Sequence, residues 1–258
     1  MMARNKFTVD GTTYIDLSTT GIESAADIPA GKIGYLRTGE RVTGTGENMS
    51  NNPLSGKILS VNGDSICEGV GYDGGYAGII GTENGMTVQN IGVSGGTITP
   101  IGDNHTISTT ISSMRSDADY IILEGGINDA IAEITLGSIS NGYSATLDTS
   151  TYAGAFENML KSAIARFPGK KIGYIFVHKV QSGYLSTDGA NSYYGIAKMC
   201  CEKWGVPYLD LNTLVPPLGM IDALKTAYTV NGGDGLHPNE DGYRLFYVPK
   251  ITAWMKGL

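Results

Sequence analysis

Five short apolar segments, separated by longer segments of helical character, constrain most strongly what residues 57–257 can fold into. Each is bounded by Gly, Asp, Asn or Pro, and in order they are KILSVN (57–62), MTVQNIGV (86–93), DYIILEGG (119–126), KIGYIFV (171–177) and VPYLDL (206–211). Strands that are apolar along their whole length are typical of parallel sheets covered by helices on both faces. The alternation therefore predicts an α/β fold with a central parallel sheet of about five strands.

Helical periodicity is clearest in two of the intervening segments, 151–167 and 191–205. In the first, one helical face would hold Phe156, Leu160, Ile164 and Phe167. The segment 242–257 predicts a closing helix. Pro249 lies inside it and predicts a kink or a break, because proline lacks the N–H that a helix interior needs.

The first 50 residues follow a different pattern and predict a small β-rich segment. KFTVDGTTYIDLS alternates around Asp10-Gly11, and residues 31–46 contain a second hairpin pattern. A stretch rich in Gly, Ser and Asn at 44–57 is typical of a linker or a long loop. The segment is too short and too polar for a substantial core of its own. We therefore expect two parts, an N-terminal segment at 1–50 and a larger domain at 51–258.

Charge and hydropathy exclude several classes of partner. The net charge is -7 and the pI is about 4.9, which disfavours nucleic acid and anionic membranes as partners. The sequence contains no apolar run of about 18 residues, so no transmembrane helix is predicted. No apolar h-region follows the first residues, so no signal peptide is visible either.

Small, polar or titratable residues follow three of the predicted strands and precede the last helix. They are Gly63-Asp64-Ser65, the segment NIGVSGGT (90–97), the segment GGIND (125–129) and the loop DGLHPNEDGY (234–243). In open parallel sheets, ligands bind beyond the carboxyl ends of the strands. The four clusters therefore converge on one edge of the predicted sheet, as a hydrolytic site requires.

Ser65 has two interpretations. A serine between a strand and a helix is often a helix N-cap. As a nucleophile it needs a base, for which His237 is the candidate, and the base needs an acceptor on its other ring nitrogen, for which Asp234 is the candidate. Acyl transfer also needs donors for the developing oxyanion: the Ser65 amide, a glycine amide at Gly95, and the Asn128 side chain. The choice of Gly95 over Gly92 or Gly96 is open.

These four clusters together resemble the conserved blocks of the SGNH hydrolase superfamily, also called GDSL esterases and lipases. The resemblance covers about residues 57–257, and DGLHPN (234–239) is its most specific part. It implies a flavodoxin-like three-layer α/β/α sandwich, no metal and no cofactor. It also implies Ser65 as nucleophile, His237 as base with Asp234 as its partner, and an oxyanion hole of Ser65, Gly95 and Asn128. Substrate contacts are expected from neighbouring residues, which are Asp64, Ile66, Gly96, Asp129 and His178.

The family implies a small acyl ester as substrate, often an acetyl group on a sugar. Fifteen tyrosines would suit stacking on sugar rings, although at this density tyrosines more often lie at core edges and on the surface. No long amphipathic stretch indicates binding to a lipid surface. We expect a carbohydrate O-deacetylase acting on an acetylated glycan; the alternative is a generic short-chain esterase or a lysophospholipase-type lipolytic enzyme.

Residues 24–46, SAADIPAGKIGYLRTGERVTGTG, resemble tail-fibre proteins of bacteriophages and prophages that infect gut Firmicutes. The resemblance implies a hydrolase mounted on a phage tail or a related surface device, and it adds a non-catalytic carbohydrate-binding tail module as a rival function. The alternative is an N-terminal extension that packs a hairpin on the hydrolase. A cytoplasmic or a virion-associated location is therefore expected.

Overall fold

The computed structural model describes residues 52–103, 105–180 and 192–258, together with 6–9, 12–16, 24, 26, 28, 33–36, 38 and 40–43. The chain forms two compact units, Met1–Ser55 and Gly56–Leu258. The division lies close to the predicted one after residue 50. What the first unit does, and whether it is a separate module, stays a prediction.

The N-terminal unit contains two small antiparallel pairs of strands. Strands β1 (Lys6–Val9) and β2 (Thr12–Asp16) pair with Val9 opposite Thr12, and β3 (Ile33–Tyr35) pairs with β4 (Arg41–Thr43). Both hairpins were predicted from the alternation, and the β-rich character of this segment is confirmed. The Asp10-Gly11 turn and residues 44–51 of the predicted linker lie outside the described residues.

The larger unit is built on one parallel sheet. Its strands are β5 (Ile58–Asn62), β6 (Thr87–Asn90), β7 (Tyr120–Glu124), β8 (Lys171–Phe176) and β9 (Tyr208–Asp210). Their spatial order is β6-β5-β7-β8-β9, and each neighbouring pair is parallel. This is the flavodoxin-like order, so the predicted fold class is confirmed. The strand order reverses between β5 and β7, where doubly wound sheets place their ligands.

Helices cover the sheet and connect its strands. They are α1 (Ser65–Glu68), α2 (Gly75–Asn84), α3 (Ile127–Ile131), α4 (Tyr152–Arg166), α5 (Tyr193–Trp204), α6 (Leu211–Leu214) and α7 (Asp222–Tyr228), with a 3₁₀ turn at Thr110–Ser113. Within the described ranges, the structure contains no helix that is long and apolar enough to cross a bilayer.

Helix α4 corrects one predicted core position. Phe156, Leu160 and Phe167 are buried as expected, but the side chain of Ile164 is 36% exposed. Ile164 lies about 80° around the helix axis from Phe156, whereas Ala163 lies about 20° from it, at 100° per residue. Ala163 is accordingly fully buried.

The C-terminal helical region changes its hydrogen bonding at the predicted proline. A short helix, α8 (Glu240–Gly242), runs into a π-helical turn (Tyr243–Tyr247), and α9 (Val248–Gly257) follows. Pro249 stands in the first turn of α9, where a missing N–H costs nothing. The π-helical turn buries the rings of Tyr243 and Tyr247.

Candidate active site

The nucleophile turn joins β5 to α1 through Gly63, Asp64 and Ser65. Asp64, not Ser65, is the N-cap of α1: its Oδ1 accepts a hydrogen bond from the Ile66 amide at 2.9 Å. Ser65 is the first residue of the helix, which leaves its hydroxyl free for another partner. Asp64 therefore performs the N-cap role that the sequence also allowed for Ser65.

Gly63 must be glycine because the turn passes very close to its surroundings. A methyl group at this position would lie 2.6 Å from Cβ of Cys67 and 2.7 Å from a carboxyl oxygen of Glu124. A Cβ atom essentially never comes that close to a non-bonded atom, so any side chain at this position would force the turn, Cys67 or Glu124 to shift. The small residue thus brings Ser65 down to the edge of the sheet.

Ser65, His237 and Asp234 form one hydrogen-bonded chain. Ser65 Oγ lies 2.8 Å from His237 Nε2, and His237 Nδ1 lies 2.7 Å from Asp234 Oδ2. The Asp234 carboxylate is acceptor-only, so the ring carries its proton on Nδ1 and leaves Nε2 to accept from the Ser65 hydroxyl. The structure thus brings together the three residues that the sequence predicted to act together.

Asp234 also holds the loop that carries His237. Its Oδ1 accepts from the amides of Leu236 at 2.9 Å and His237 at 3.0 Å, while Oδ2 faces the ring. Burial on its own would raise the pKa of Asp234, but these amide hydrogen bonds and the His237 ring together lower it. The carboxylate therefore stays ionised, as its position beside the imidazole requires.

The three glycines of the loop after β6 differ in the hydrogen bonds that their amides make. The Gly92 amide donates to Oδ1 of Asn90 at 2.9 Å, and the Gly96 amide donates to the Val93 carbonyl at 2.9 Å. The Gly95 amide donates to no acceptor within the described part of the chain. Gly95 has φ +76°, a conformation that favours glycine, and a methyl group there would meet no atom within 4 Å. Of the three, Gly95 alone has an amide without an acceptor among the described residues.

Asn128 and Asp129 follow β7 and bind the same loop from the other side. The Asn128 side-chain amide donates to the Gly96 carbonyl at 2.9 Å, which uses one of its two hydrogens. Asp129 accepts from the amides of Ile98 and Thr99, both at 2.8 Å. The pair therefore fixes the position of the glycine-rich loop relative to Ser65.

Comparison with known proteins identifies the family. Residues 61–245 match the model of the GDSL-like lipase/acylhydrolase family, which is more than half of the chain. The chain belongs to this family. As a member of it, the protein is an ester hydrolase of the GDSL/SGNH type, and the resemblance noted in the sequence is confirmed. No curated protein matches the chain at a significant level.

Solved structures share the fold of this GDSL hydrolase. A protein from Lactobacillus plantarum is 25% identical, with a TM-score of 0.67 over 79% of this chain and 98% of its own. A GDSL-like lipase candidate from Bacteroides ovatus is 17% identical, with a TM-score of 0.54 over 79% and 100%. An aryl esterase of M. smegmatis is 15% identical, with a TM-score of 0.53 over 78% and 99%.

The five residues of the hydrolase that were predicted to contact substrate are buried in the structure, and their substrate role stays a prediction. Asp64, Ile66, Gly96, Asp129 and His178 are all buried, and Ile66, Asp129 and His178 have no exposed surface. Their neighbours explain why: Asp64 caps α1, and Asp129 is saturated by two backbone amides. Val70 and Val93 are large apolar residues near Ser65 that reach solvent, 47% and 40% exposed. Their amides donate to the carbonyls of Ser65 and Gly63, so both residues lie beside the nucleophile turn.

His178 supports the histidine loop from below. Its Nδ1 lies 2.7 Å from the Tyr247 hydroxyl and its Nε2 lies 3.4 Å from the Gly235 carbonyl. A carbonyl only accepts, so Nε2 carries the proton and Nδ1 accepts from Tyr247. Burial lowers the pKa of His178 to about 4, which keeps the ring neutral at neutral pH. His178 thus connects the end of β8 and the π-helical turn to the loop of Asp234 and His237.

Glu124 is a residue of the site that was not predicted from the sequence. This residue ends β7, is fully buried, and places its carboxyl beneath Gly63 and against Asp64. The signal was present, because Glu124 is the one charged residue in the buried strand Tyr120–Glu124. Burial of a carboxyl group costs free energy unless the group is paired or protonated, so a glutamate at this position indicates a specific role.

Proposed function

We propose that this GDSL hydrolase is a serine esterase in which Ser65 is the nucleophile, His237 the general base and Asp234 the residue that orients the base. The observation that carries the proposal is the continuous hydrogen-bonded chain Ser65 Oγ–His237 Nε2 and His237 Nδ1–Asp234 Oδ2, at 2.8 and 2.7 Å. Both distances allow direct proton transfer or direct orientation without an intervening water.

The chemistry follows from this order of atoms. Ser65 Oγ attacks the ester carbonyl carbon while its proton passes to Nε2 of His237. The tetrahedral intermediate collapses, the ester C–O bond breaks, and the leaving alcohol takes that proton from His237. A water molecule then gives a proton to His237 and attacks the acyl carbon. The carboxylic acid departs, and Ser65 recovers the proton.

The oxyanion formed in each half of the reaction needs donors that are already in place. The amide of Ser65, the free amide of Gly95 and the second hydrogen of the Asn128 side chain are the donors we assign to it. The contact from Asn128 to the Gly96 carbonyl supports this assignment, because it fixes the amide while leaving one N–H uncommitted. Gly92 and Gly96 are disfavoured, since both amides already have acceptors.

For the substrate we propose a short acyl ester, and first an acetyl ester of a carbohydrate. Val70 and Val93 give a small apolar surface beside Ser65, which suits a short acyl group. Exposed polar residues are close to these valines in sequence: the amide of Ser94 donates to the exposed Glu68 carboxylate at 2.7 Å. A polar rim suits an alcohol part that carries hydroxyl groups. A generic short-chain esterase would share the apolar surface without using the rim.

A panel of substrates tests both parts of the proposal. We expect turnover of p-nitrophenyl acetate to exceed that of the butyrate and octanoate esters, together with release of acetate from an acetylated polysaccharide. Ser65→Ala should lower kcat by about 10⁴–10⁶-fold, whereas Ser116→Ala, a matched change at an exposed serine before the start of β7, should not. Acetate esters cleaved without polysaccharide deacetylation would favour the generic esterase. Absence of any turnover in the wild type would favour the non-catalytic, carbohydrate-binding tail module.

The resemblance of residues 24–46 to phage tail fibres bears on where such an enzyme works. We propose that the N-terminal unit serves attachment, with the hydrolase acting on glycans at the bacterial surface. The alternative remains an extension that packs on the hydrolase. Immunogold labelling of phage particles induced from the host strain would distinguish a virion-associated from a cytoplasmic protein.

A further inference from the structure

Two buried carboxyl groups lie directly beneath the nucleophile turn. Asp64 is 1% exposed and Glu124 is fully buried, and the two side chains are within hydrogen-bonding range of each other. Asp64 arrives from the turn after β5, and Glu124 from the end of the adjacent strand β7. The pair therefore joins the turn that presents Ser65 to the centre of the sheet.

The pair lacks donors. Oδ1 of Asp64 accepts from the Ile66 amide, but Oδ2 of Asp64 and both oxygens of Glu124 receive no hydrogen bond from any residue that the structure describes. The amides of Asp64 and Cys67 approach Glu124 without reaching hydrogen-bonding geometry. Two ionised carboxylates in contact, both removed from water, would repel each other and remain unsatisfied. One proton between them provides the missing donor.

The proton belongs on Glu124. The Ile66 amide stabilises the charged form of Asp64, whereas no comparable hydrogen bond stabilises a charged Glu124. Burial raises the pKa of Asp64 to about 6 and the pKa of Glu124 well above its ordinary value. A hydrogen bond between the two carboxyl groups lowers the pKa of Asp64 and raises that of Glu124. At neutral pH the pair therefore holds one charge, on Asp64.

We propose that Glu124 is a positioning residue for the nucleophile: its protonated carboxyl donates a hydrogen bond to Oδ2 of Asp64, so that Oδ1 stays on the Ile66 amide and fixes the start of α1 where Ser65 meets His237. The kinetic part of this inference rests on the proposed function of Ser65. The sharing of the proton does not, and it is tested separately.

Among the described residues, the titratable groups around the pair do not provide the missing hydrogen-bond donor. The titratable groups that face it come from every element packed against it: Cys67 of α1, Tyr76 of α2, Asp129 of α3, Tyr243 and Tyr247 of the π-helical turn, and His237. Burial raises the pKa of the thiol and of the three phenols, so these stay neutral near pH 7. The thiol and the three phenols therefore add no charge next to the pair near pH 7.

The stability of the fold over pH tests the shared proton. In the unfolded chain Glu124 loses its proton near its ordinary value of 4.5, whereas in the folded chain it keeps the proton. Rising pH therefore favours unfolding of the wild type more than unfolding of Glu124→Gln, whose amide donates without titrating. Between pH 5 and 8 the folding constant of the wild type relative to Glu124→Gln should fall by up to about tenfold per pH unit.

Glu157→Gln is the matched control, since Glu157 is also a buried glutamate. Burial opposes its ionisation, but hydrogen bonds from Lys203, the Ser140 amide and Trp204 outweigh that effect and lower its pKa. The folding constant of the wild type relative to Glu157→Gln should therefore not change between pH 5 and 8. An equally flat ratio for Glu124→Gln would mean that Glu124 is ionised in the fold, and would overturn the proposal.

Kinetics test the positioning of Ser65. Glu124→Gln should keep kcat within about threefold of the wild type, whereas Glu124→Met, of similar length without a donor, should lower kcat about 10- to 100-fold with KM little changed. Wild-type kcat in a folded Glu124→Met would overturn the positioning role. If Glu124→Met does not fold, the carboxylic-acid carbonyl band in the infrared spectrum decides instead: it should persist at pH 7 in the wild type and vanish in Glu124→Gln. If esterase activity itself proves independent of Ser65, the proposed function fails, and the pH comparison still decides the shared proton.

Discussion

The two oxygens of Asp234 have separate partners, which makes their contributions separable. Oδ1 accepts from two backbone amides of its own loop, and Oδ2 accepts from the His237 ring. In Asp234→Asn the amide oxygen can keep the loop contacts, while the NH₂ group faces a ring nitrogen that it cannot accept from. The substitution therefore removes the orientation of the base and leaves the loop in place.

For Asp234→Asn we expect kcat to fall about 10²–10⁴-fold with little loss of stability. Asp234→Ala is the comparison, because it removes the loop contacts as well and should also lower the melting temperature. Steady-state kinetics and thermal unfolding of both variants provide the measurement. A rate for Asp234→Asn equal to that of the wild type would show that another group orients His237.

Asn128 is expected to act on the transition state, not on the bound ester. Asn128→Ala should lower kcat about 10²–10³-fold with a smaller change in KM, because the negative charge it stabilises appears only during the reaction. Its bond to the Gly96 carbonyl is lost too, so the amide exchange of residues 95–96 should be followed alongside the kinetics. An effect confined to KM would identify Asn128 as a ground-state binding residue.

At the residue scale, the sequence predicted the residues whose chemistry is distinctive and missed those whose role depends on which way they face. Ser65, His237 and Asp234 were recognisable from their types and positions, and the structure brings them into contact. Asp64 and Asp129 stand next to the same turns, yet both point inward. Adjacency along the chain does not show which side of a strand end a side chain occupies.

Among the elements, His178 links three that are distant in sequence. It follows β8, contacts Tyr247 in the π-helical turn and contacts Gly235 in the His237 loop. Burial lowers its pKa to about 4, with smaller opposing contributions from Gly235 and Asp234. As pH falls below the ordinary histidine value, the unfolded chain gains a proton that the folded chain does not, so stability is lost between about pH 6.5 and 4.

We expect this loss to be about 3 kcal/mol relative to His178→Gln, which cannot titrate. His105→Gln is the control, because burial also lowers the pKa of His105, but that ring is only partly buried and should contribute less. Denaturant unfolding at a series of pH values measures all three proteins. If the difference between the wild type and His178→Gln is the same at every pH, the buried ring is not neutral.

The elements themselves were largely predictable from periodicity. All five parallel strands and the two long helices fall within the segments that the apolar pattern marked. The π-helical turn before Pro249 was not predictable, because it accompanies the burial of Tyr243 and Tyr247 against Tyr76 of α2, a contact between residues far apart in sequence. A helical pattern in sequence does not distinguish these two kinds of hydrogen bonding.

On the scale of the whole molecule, the flavodoxin-like strand order helps to explain why Ser65 and His237, 172 positions apart in sequence, meet. The strand order reverses between β5 and β7, and the turns after these strands hold Ser65 and Asn128. The loop of His237 reaches the same edge from the end of the chain. All residues assigned to catalysis belong to the unit Gly56–Leu258.

The most direct test of the account is covalent labelling of the folded protein with a serine-directed fluorophosphonate, followed by mapping of the modified peptide by mass spectrometry. The account predicts one adduct, on Ser65, with loss of esterase activity in proportion to labelling. Ser116→Ala should label like the wild type, and Ser65→Ala should not label. Inactivation with Ser65 unmodified, or an adduct on another residue that accounts for the lost activity, would contradict the assignment of Ser65 as the nucleophile.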